Sequence, residues 1–223
     1  MAKLDAAYVV SSADYEVARP EYRRRVSAER QRRRMRLGEG CSLQFETQEF
    51  ALWHVQELLR VEGWSLPRAT QTVRDVEPWC PGRGDLVATV MVDTDDSKLA
   101  QRVTRALARP GVIRLCAGQH VLRSEVLEAG FPADPIWYLR WPVTPQWCSA
   151  LAAGGTCTTS WDGARYPLSS ATSAALREDI TSDPASQRPL LHCLVESRDH
   201  HVPQAGSTGT RPIRLPCVRS DRP

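Results

Sequence analysis

Four charged side chains have the types and spacing for acid–base or anion chemistry: Arg19, Glu46, Glu57 and Arg60. A carboxyl at Glu46 or Glu57 could carry a proton to or from a reacting group, and Arg19 or Arg60 could clamp an anion through a planar fork of donors. Trp79, in a loop between Pro78 and Pro81, is the candidate wall of such a pocket. A plainer account uses the same residues. Glu57 and Arg60 stand three apart on a helix, where a pair is worth about 0.2–0.5 kcal/mol. An ion-pair network could then hold the Arg19-Pro20-Glu21 turn against that helix.

A second charged feature is a run of nine arginines from Arg19 to Arg36, offset only by Glu21 and Glu29. Arg23, Arg24, Arg30, Arg32, Arg33 and Arg34 are the candidates for docking an acidic partner. The same side chains could neutralise nucleic-acid phosphates, with a steep salt dependence. Only Tyr22 lies inside the run, so the aromatic platforms of single-strand binding are missing. The plainest reading is a solvated helix whose arginine stems cover apolar surface. Residues 1–36 carry ten basic and five acidic side chains, whereas the remainder carries 19 and 21, so the net charge of +3 is a local property of this segment.

Other chemistry is thinly represented. The seven cysteines are scattered and contain no C-x-x-C, which argues for free thiols in a reducing compartment rather than a disulfide framework, zinc ribbon or cluster. His54 and His120 are the only imidazoles before the last 40 or so residues, too few for a persuasive metal site. His54 falls within the apolar stripe of its helix, where a satisfied core histidine is the expected role. Phosphate-loop, G-x-S-x-G and H-E-x-x-H signatures are absent, and no cofactor is expected. No stretch approaches the roughly 20 apolar residues of a membrane span. The first twelve residues lack the basic-then-apolar order of a secretion signal, so the expected location is the cytoplasm.

The elements that must position these groups read as a mixture. Ser12-Ala13-Asp14 caps a helical turn to Ala18, and Pro20 suits the first position of a second, arginine-rich helix reaching Arg36. Cys41–Glu46 alternates, with Cys41, Leu43 and Phe45 on the apolar side, as a half-buried strand does. Thr47 starts a helix to Glu62 whose apolar side gathers Phe50, Ala51, Val55, Leu58, Leu59 and Val61, with Gly63 closing it. A helix is expected over Pro67–Val76, a loop over 78–84, and a strand covered on both faces over Leu86–Val92. Asp95-Asp96-Ser97 caps a helix to Arg109. A hairpin turns at Ala117-Gly118, and Trp137, Leu139, Trp141 and Val143 share one face of a strand. Short elements over Pro145–Ala153, Thr156–Trp161 and Ser169–Ile180 complete the expected fold. This is an α+β domain over residues 1–182, with a mostly antiparallel sheet covered by helices. Residues 183–223, rich in Pro, Ser, Arg and Gly, are expected to be a disordered tail.

An ordered set of blocks carries a resemblance. It comprises Tyr15-Glu16, Arg19-Pro20-Glu21-Tyr22-Arg23, Arg32-Arg33-Arg34 before Leu37-Gly38, Leu43-Gln44-Phe45-Glu46 and Trp53-His54-Val55-Gln56-Glu57-Leu58-Leu59-Arg60. Pro81-Gly82, Leu86-Val87-Ala88-Thr89 and Tyr138-Leu139-Arg140 follow. Over roughly residues 12–180 the chain resembles the bacterial domain-of-unknown-function family 3501. The resemblance implies a single cytosolic domain without an established activity. It also implies a redox or peroxide-stress setting, because family members are encoded near rubrerythrin-like and iron–sulfur proteins. The expected function is therefore a non-catalytic accessory or docking protein with such a partner, and the alternatives are a ligand-binding protein or enzyme using the Arg/Glu cluster, or a nucleic-acid binder. The chain departs from the family pattern at Thr47, at His54 and at Gly163-Ala164, where the family shows Asn, Gln and His-Pro.

Overall fold

The computed structural model describes residues 4–82, 84–128, 136–181 and 188–199. Among the described residues, nine strands form two antiparallel sheets. The larger has the order β1-β2-β3-β7-β6, from β1 (Arg34–Arg36), β2 (Cys41–Phe45), β3 (Asp85–Val92), β6 (Glu125–Glu128) and β7 (Ile136–Pro142). The smaller, β5-β4-β8-β9, is built from β4 (Arg114–Ala117), β5 (His120–Arg123), β8 (Cys157–Trp161) and β9 (Ala164–Pro167). Seven α-helices accompany them among the same residues: α1 (Ser12–Arg32), α2 (Gln48–Glu62), α3 (Leu66–Val76), α4 (Ser97–Leu107), α5 (Pro145–Ala152), α6 (Ser170–Thr181) and α7 (Leu190–Asp199). The α+β expectation holds, with its antiparallel pairing divided between two sheets.

Two apolar cores result. The first gathers Leu43, Phe45, Ala88, Val90, Trp137, Leu139 and Trp141 of the larger sheet with Leu115, Ala117 and Cys157 of the smaller, closed by Leu107, Trp147 and Leu176 from α4, α5 and α6. The register explains the selection: Leu43 faces Val90 and Val90 faces Trp137, so one side of three adjacent strands is apolar throughout. The second core lies among the helices and contains Tyr15, Tyr22, Val26, Phe50, Val55, Leu59, Val73 and Leu191.

Several expectations need correction. Residues 12–32 form one helix with Pro20 inside it, not two. Proline removes a ladder hydrogen bond, but Tyr15, Ala18, Tyr22 and Val26, at helical spacing on both sides of it, are all buried and hold the helix continuous. The chain then turns at Arg33, and the segment expected to end that helix is the edge strand β1. β2 is not half-buried: all five of its residues are inside, including Ser42 and Gln44. Val61 is 76 % exposed, and His54 is also exposed rather than in the apolar stripe. The strands β1, β6 and β9 were not anticipated.

The segment expected to lack structure divides. Residues 183–187 and 200–223 lie outside the described residues, but Leu190–Asp199 is helix α7. Leu191 is fully buried in the helical core, with Leu190, Leu194 and Val195 packed against it. Leu191→Ala is therefore expected to cost about 2–3 kcal/mol, the lower part of the usual range for a buried leucine because a terminal helix can settle into the space. Denaturant unfolding of the full chain checks this, and a change below about 0.5 kcal/mol would show α7 to be dispensable to the core.

Candidate functional site

The back of the larger sheet is polar where its front is apolar. Across it, Gln44 faces Thr89 and Thr89 faces Tyr138. Ser42, Gln44 and Thr89 are all buried. Buried polar groups need partners, and these have them: Arg34 donates to Ser42 Oγ at 2.9 Å, and Gln44 Nε2 donates to Glu46 Oε1 at 3.4 Å. Thr89 Oγ1 donates to the same Glu46 oxygen at 2.5 Å. Glu46 thus sits at the end of β2, turned onto the back of the sheet, just before Thr47 caps α2 by accepting from Phe50 N at 3.1 Å. Trp79 stacks on Tyr138 along the same face, with centroids 4.7 Å apart and planes 9° from parallel.

Glu46 opens into a cleft of about 420 Å³. Its walls come from six parts of the chain. They are Leu4 and Tyr8 near the N-terminus, Glu29, Arg32 and Arg33 at the end of α1, and Glu46 to Glu49 with Leu52 at the start of α2. Pro81, Gly82, Asp85 and Leu86 follow around β3, then Glu178 and Asp179 at the end of α6, and Arg188 and Pro189 leading into α7. The volume lies within the range of small-molecule sites.

Electrostatics divides the lining into paired and unpaired groups. Arg33, only 4 % exposed, donates from Nε to Glu29 and from both terminal nitrogens to Asp179. Arg32 pairs with Glu29 at 3.0 Å and with Glu178 at 2.6 Å. Thr172 Oγ1 donates to the Arg32 carbonyl and ties α6 to the end of α1. Arg188 pairs with Glu196 along α7. Glu49 accepts from Leu190 N at 2.9 Å through Oε2, while its buried Oε1 has no partner among the described residues. Burial pushes the Glu46 carboxyl above the usual carboxylate range, against the opposing Thr89 hydrogen bond and the positive charge of Arg30.

That shift has a signed consequence. A carboxyl whose pKa is raised on folding stabilises the fold at acid pH and loses that contribution as pH rises through the raised value. Glu46→Gln, which cannot ionise, is expected to melt higher than the parent at about pH 8 and to lose that advantage at about pH 4. Melting curves of both proteins across this range check it. A parent that gains on the variant with rising pH would mean that the arginines hold Glu46 ionised.

The sequence-derived cluster does not converge. Only Glu46 of Arg19, Glu46, Glu57, Arg60 and Trp79 lines the cleft. Arg19 and Glu57 form a two-toothed pair, Nε to Oε1 at 2.7 Å and Nη2 to Oε2 at 3.0 Å, and Tyr15 Oη donates to Glu57 at 2.6 Å. The Arg19 hydrogen bond holds Glu57 below the usual carboxylate range. Arg60 reaches across to Glu16 instead. These pairs fasten α1 to α2, as the ion-pair account expects.

The arginine run is likewise mostly engaged within the chain. Arg24 and Arg25 share Glu21, and Arg34 lies 3.5 Å from Asp93. Arg30 lies over the rings of Trp53 and Phe50, at 4.6 and 5.4 Å. Arg23 and Arg36 are exposed with no partner among the described residues. The cleft's remaining residues, above all Glu49, Glu178, Asp179 and Arg188, had no local signal, because they meet only when segments about 140 residues apart come together.

A family model described as a protein of unknown function (DUF3501) matches residues 3–183. The chain belongs to that family. The match spans both sheets and α1 to α6 and ends before α7. A solved structure from Burkholderia pseudomallei K96243, described as a novel protein of unknown function, is similar to this chain with a TM-score of 0.68. Sequence identity is 17 %, and the similarity covers 77 % of this chain and 96 % of that one, which supports the fold of the DUF3501 domain. None of the curated proteins matches. No helix among the described residues is long and apolar enough to cross a membrane.

Proposed function

We propose that this DUF3501 protein binds a small molecule in the cleft between the ends of α1 and α6 and the start of α2. The observation that carries the reading is the convergence, in one 420 Å³ cleft, of a carboxyl raised by burial and a buried, unpartnered carboxylate oxygen at Glu49. Unsatisfied buried acceptors are costly, and a ligand donor in the cleft would remove that cost. The test is native mass spectrometry of the full chain after equilibration with the small-molecule extract of its own cells. A retained adduct is expected, and it should be lost when Gln48→Trp, at a half-buried position of the lining, fills the cleft. An adduct held equally by that variant would place binding elsewhere and overturn the reading.

A second reading, the docking of an acidic protein in a redox or peroxide-stress system, is favoured by one feature. Arg23 has no partner among the described residues and lies beside Arg24, whose side chain is 69 % exposed, on the outer face of α1. On this account an iron–sulfur or rubrerythrin-like partner is captured by the parent and released by Arg23→Glu with Arg24→Glu. Nucleic-acid binding would use the same two side chains with Arg36. With three cations contributed by this segment, its affinity should fall only shallowly with salt, by about one power per phosphate contacted.

A further inference from the structure

We infer that the cleft takes an organic cation whose N–H groups donate to Glu49 and Glu46 and whose apolar body rests on Leu52 and Leu86, an amine or guanidinium rather than an anion. The inference rests on the cleft being a ligand site. The cations of the lining already have counter-charges: Arg33 is held by Glu29 and Asp179, Arg32 by Glu29 and Glu178, and Arg188 by Glu196. Glu49 and Asp85 have no ion pair among the described residues, and Glu46 has none but feels the charges of Arg30 and Arg33, so the side chains facing the cavity without a direct counter-charge are all carboxyls. An anion would have to break the Arg33 fork, which is buried and makes three hydrogen bonds. A cation meets Glu49 Oε1, an acceptor without a partner among the described residues, and carboxyls without a direct counter-charge.

Glu49 is the most specific of them. Leu190 N fixes its Oε2, while Oε1 remains buried and unpartnered, so the carboxylate is positioned before any ligand arrives. A bare metal ion fits less well, since no group of three or more potential ligands among the described residues is placed to hold one. The apolar wall of Leu4, Leu52 and Leu86 suits the carbon body of an organic cation.

The experiment is calorimetric titration of the full chain with n-butylguanidinium chloride, tetramethylammonium chloride and sodium butyrate at equal ionic strength, with backbone amide shifts recorded alongside. Butylguanidinium is expected to saturate a site that moves the amides of Thr47, Gln48, Gly82 and Leu190. Tetramethylammonium, a cation without N–H donors, should bind about tenfold more weakly or worse, the value of a charged hydrogen bond. Glu49→Gln should weaken butylguanidinium by about tenfold or more. If that variant melts early, Asp85→Asn serves as a second, exterior reduction of negative charge. Butyrate saturating the same amides in preference would overturn the cation assignment while leaving the site in place. Unchanged affinity in Glu49→Gln would do the same. No movement of those amides with any probe would overturn the assignment and the site together.

Discussion

Replacing Arg33 by alanine is expected to destabilise the protein by about 3–5 kcal/mol, because it removes a buried guanidinium that makes three hydrogen bonds and leaves two half-buried carboxylates, Asp179 and Glu29, without their cation. The guanidinium sits where α1 ends and β1 begins and reaches Asp179 at the end of α6. One side chain thus closes a loop of about 146 residues. Arg33→Lys should recover little, since an ammonium cannot reproduce the bidentate geometry. Arg33→Met combined with Asp179→Leu should be milder than Arg33→Ala alone, because the pair's desolvation cost disappears with its attraction. Urea unfolding of the four proteins decides the matter. A loss below about 1 kcal/mol for Arg33→Ala would show the pair to be screened like an ordinary surface bridge.

Trp141→Ala is expected to cost a similar amount, about 3–5 kcal/mol, as the largest cavity the main core could acquire. Trp141 is fully buried against Phe45, and its Nε1 donates to the Ile113 carbonyl at 3.1 Å. That bond ties the larger sheet to the strand entry of the smaller one. Phenylalanine distinguishes packing from bonding. Trp141→Phe should lose about 0.5–1.5 kcal/mol more than its volume change requires, the net value of one hydrogen bond, because the Ile113 carbonyl keeps its other donor, Ser124 N at 3.0 Å. Trp137→Phe on the same face should lose less, since the Trp137 Nε1 has no partner among the described residues. Equal losses for the two phenylalanine variants would mean that the Ile113 bond contributes nothing to holding the sheets together.

The elements most legible in the sequence were those whose signals are local. Thr47 caps α2 and Gly63, at φ +90°, ends it, as their types suggest. The hairpin turns through Gly118 at φ +58°, a conformation that favours glycine. Trp137, Leu139 and Trp141 alternate inward on β7 as their spacing predicts. What was hidden depends on distant partners. Pro20 reads locally as a helix start, and only the burial of Tyr15 and Tyr22 on either side shows otherwise. The edge strands β1, β6 and β9 have three or four residues each, too short to display a period. Helix α7 is marginal alone and exists where Leu191 meets the helical core.

The candidate site divides along the same line. Glu46 was visible because it follows an alternating strand and precedes a cap, and it does line the cleft. Glu57, Arg19 and Arg60 were visible as charged neighbours on helices, and they pair on the side where α1 meets α2. Their chemistry was readable, but the pairing of Arg60 with Glu16 rather than Glu57 required the helices to be docked. Glu178, Asp179 and Arg188 stand in segments that carry no motif. They become site residues only because the ends of α1, α6 and the start of α7 meet at one place.

The central claim is that this meeting place is a ligand site, and the most direct measurement is amide shift mapping of the isotope-labelled full chain against cationic, anionic and neutral fragments. Saturable shifts are expected, concentrated at Thr47, Gln48, Gly82 and Leu190, strongest for the cationic fragments and abolished by Gln48→Trp. Shifts confined to the outer face of α1, or none at those four amides with any fragment, would contradict it.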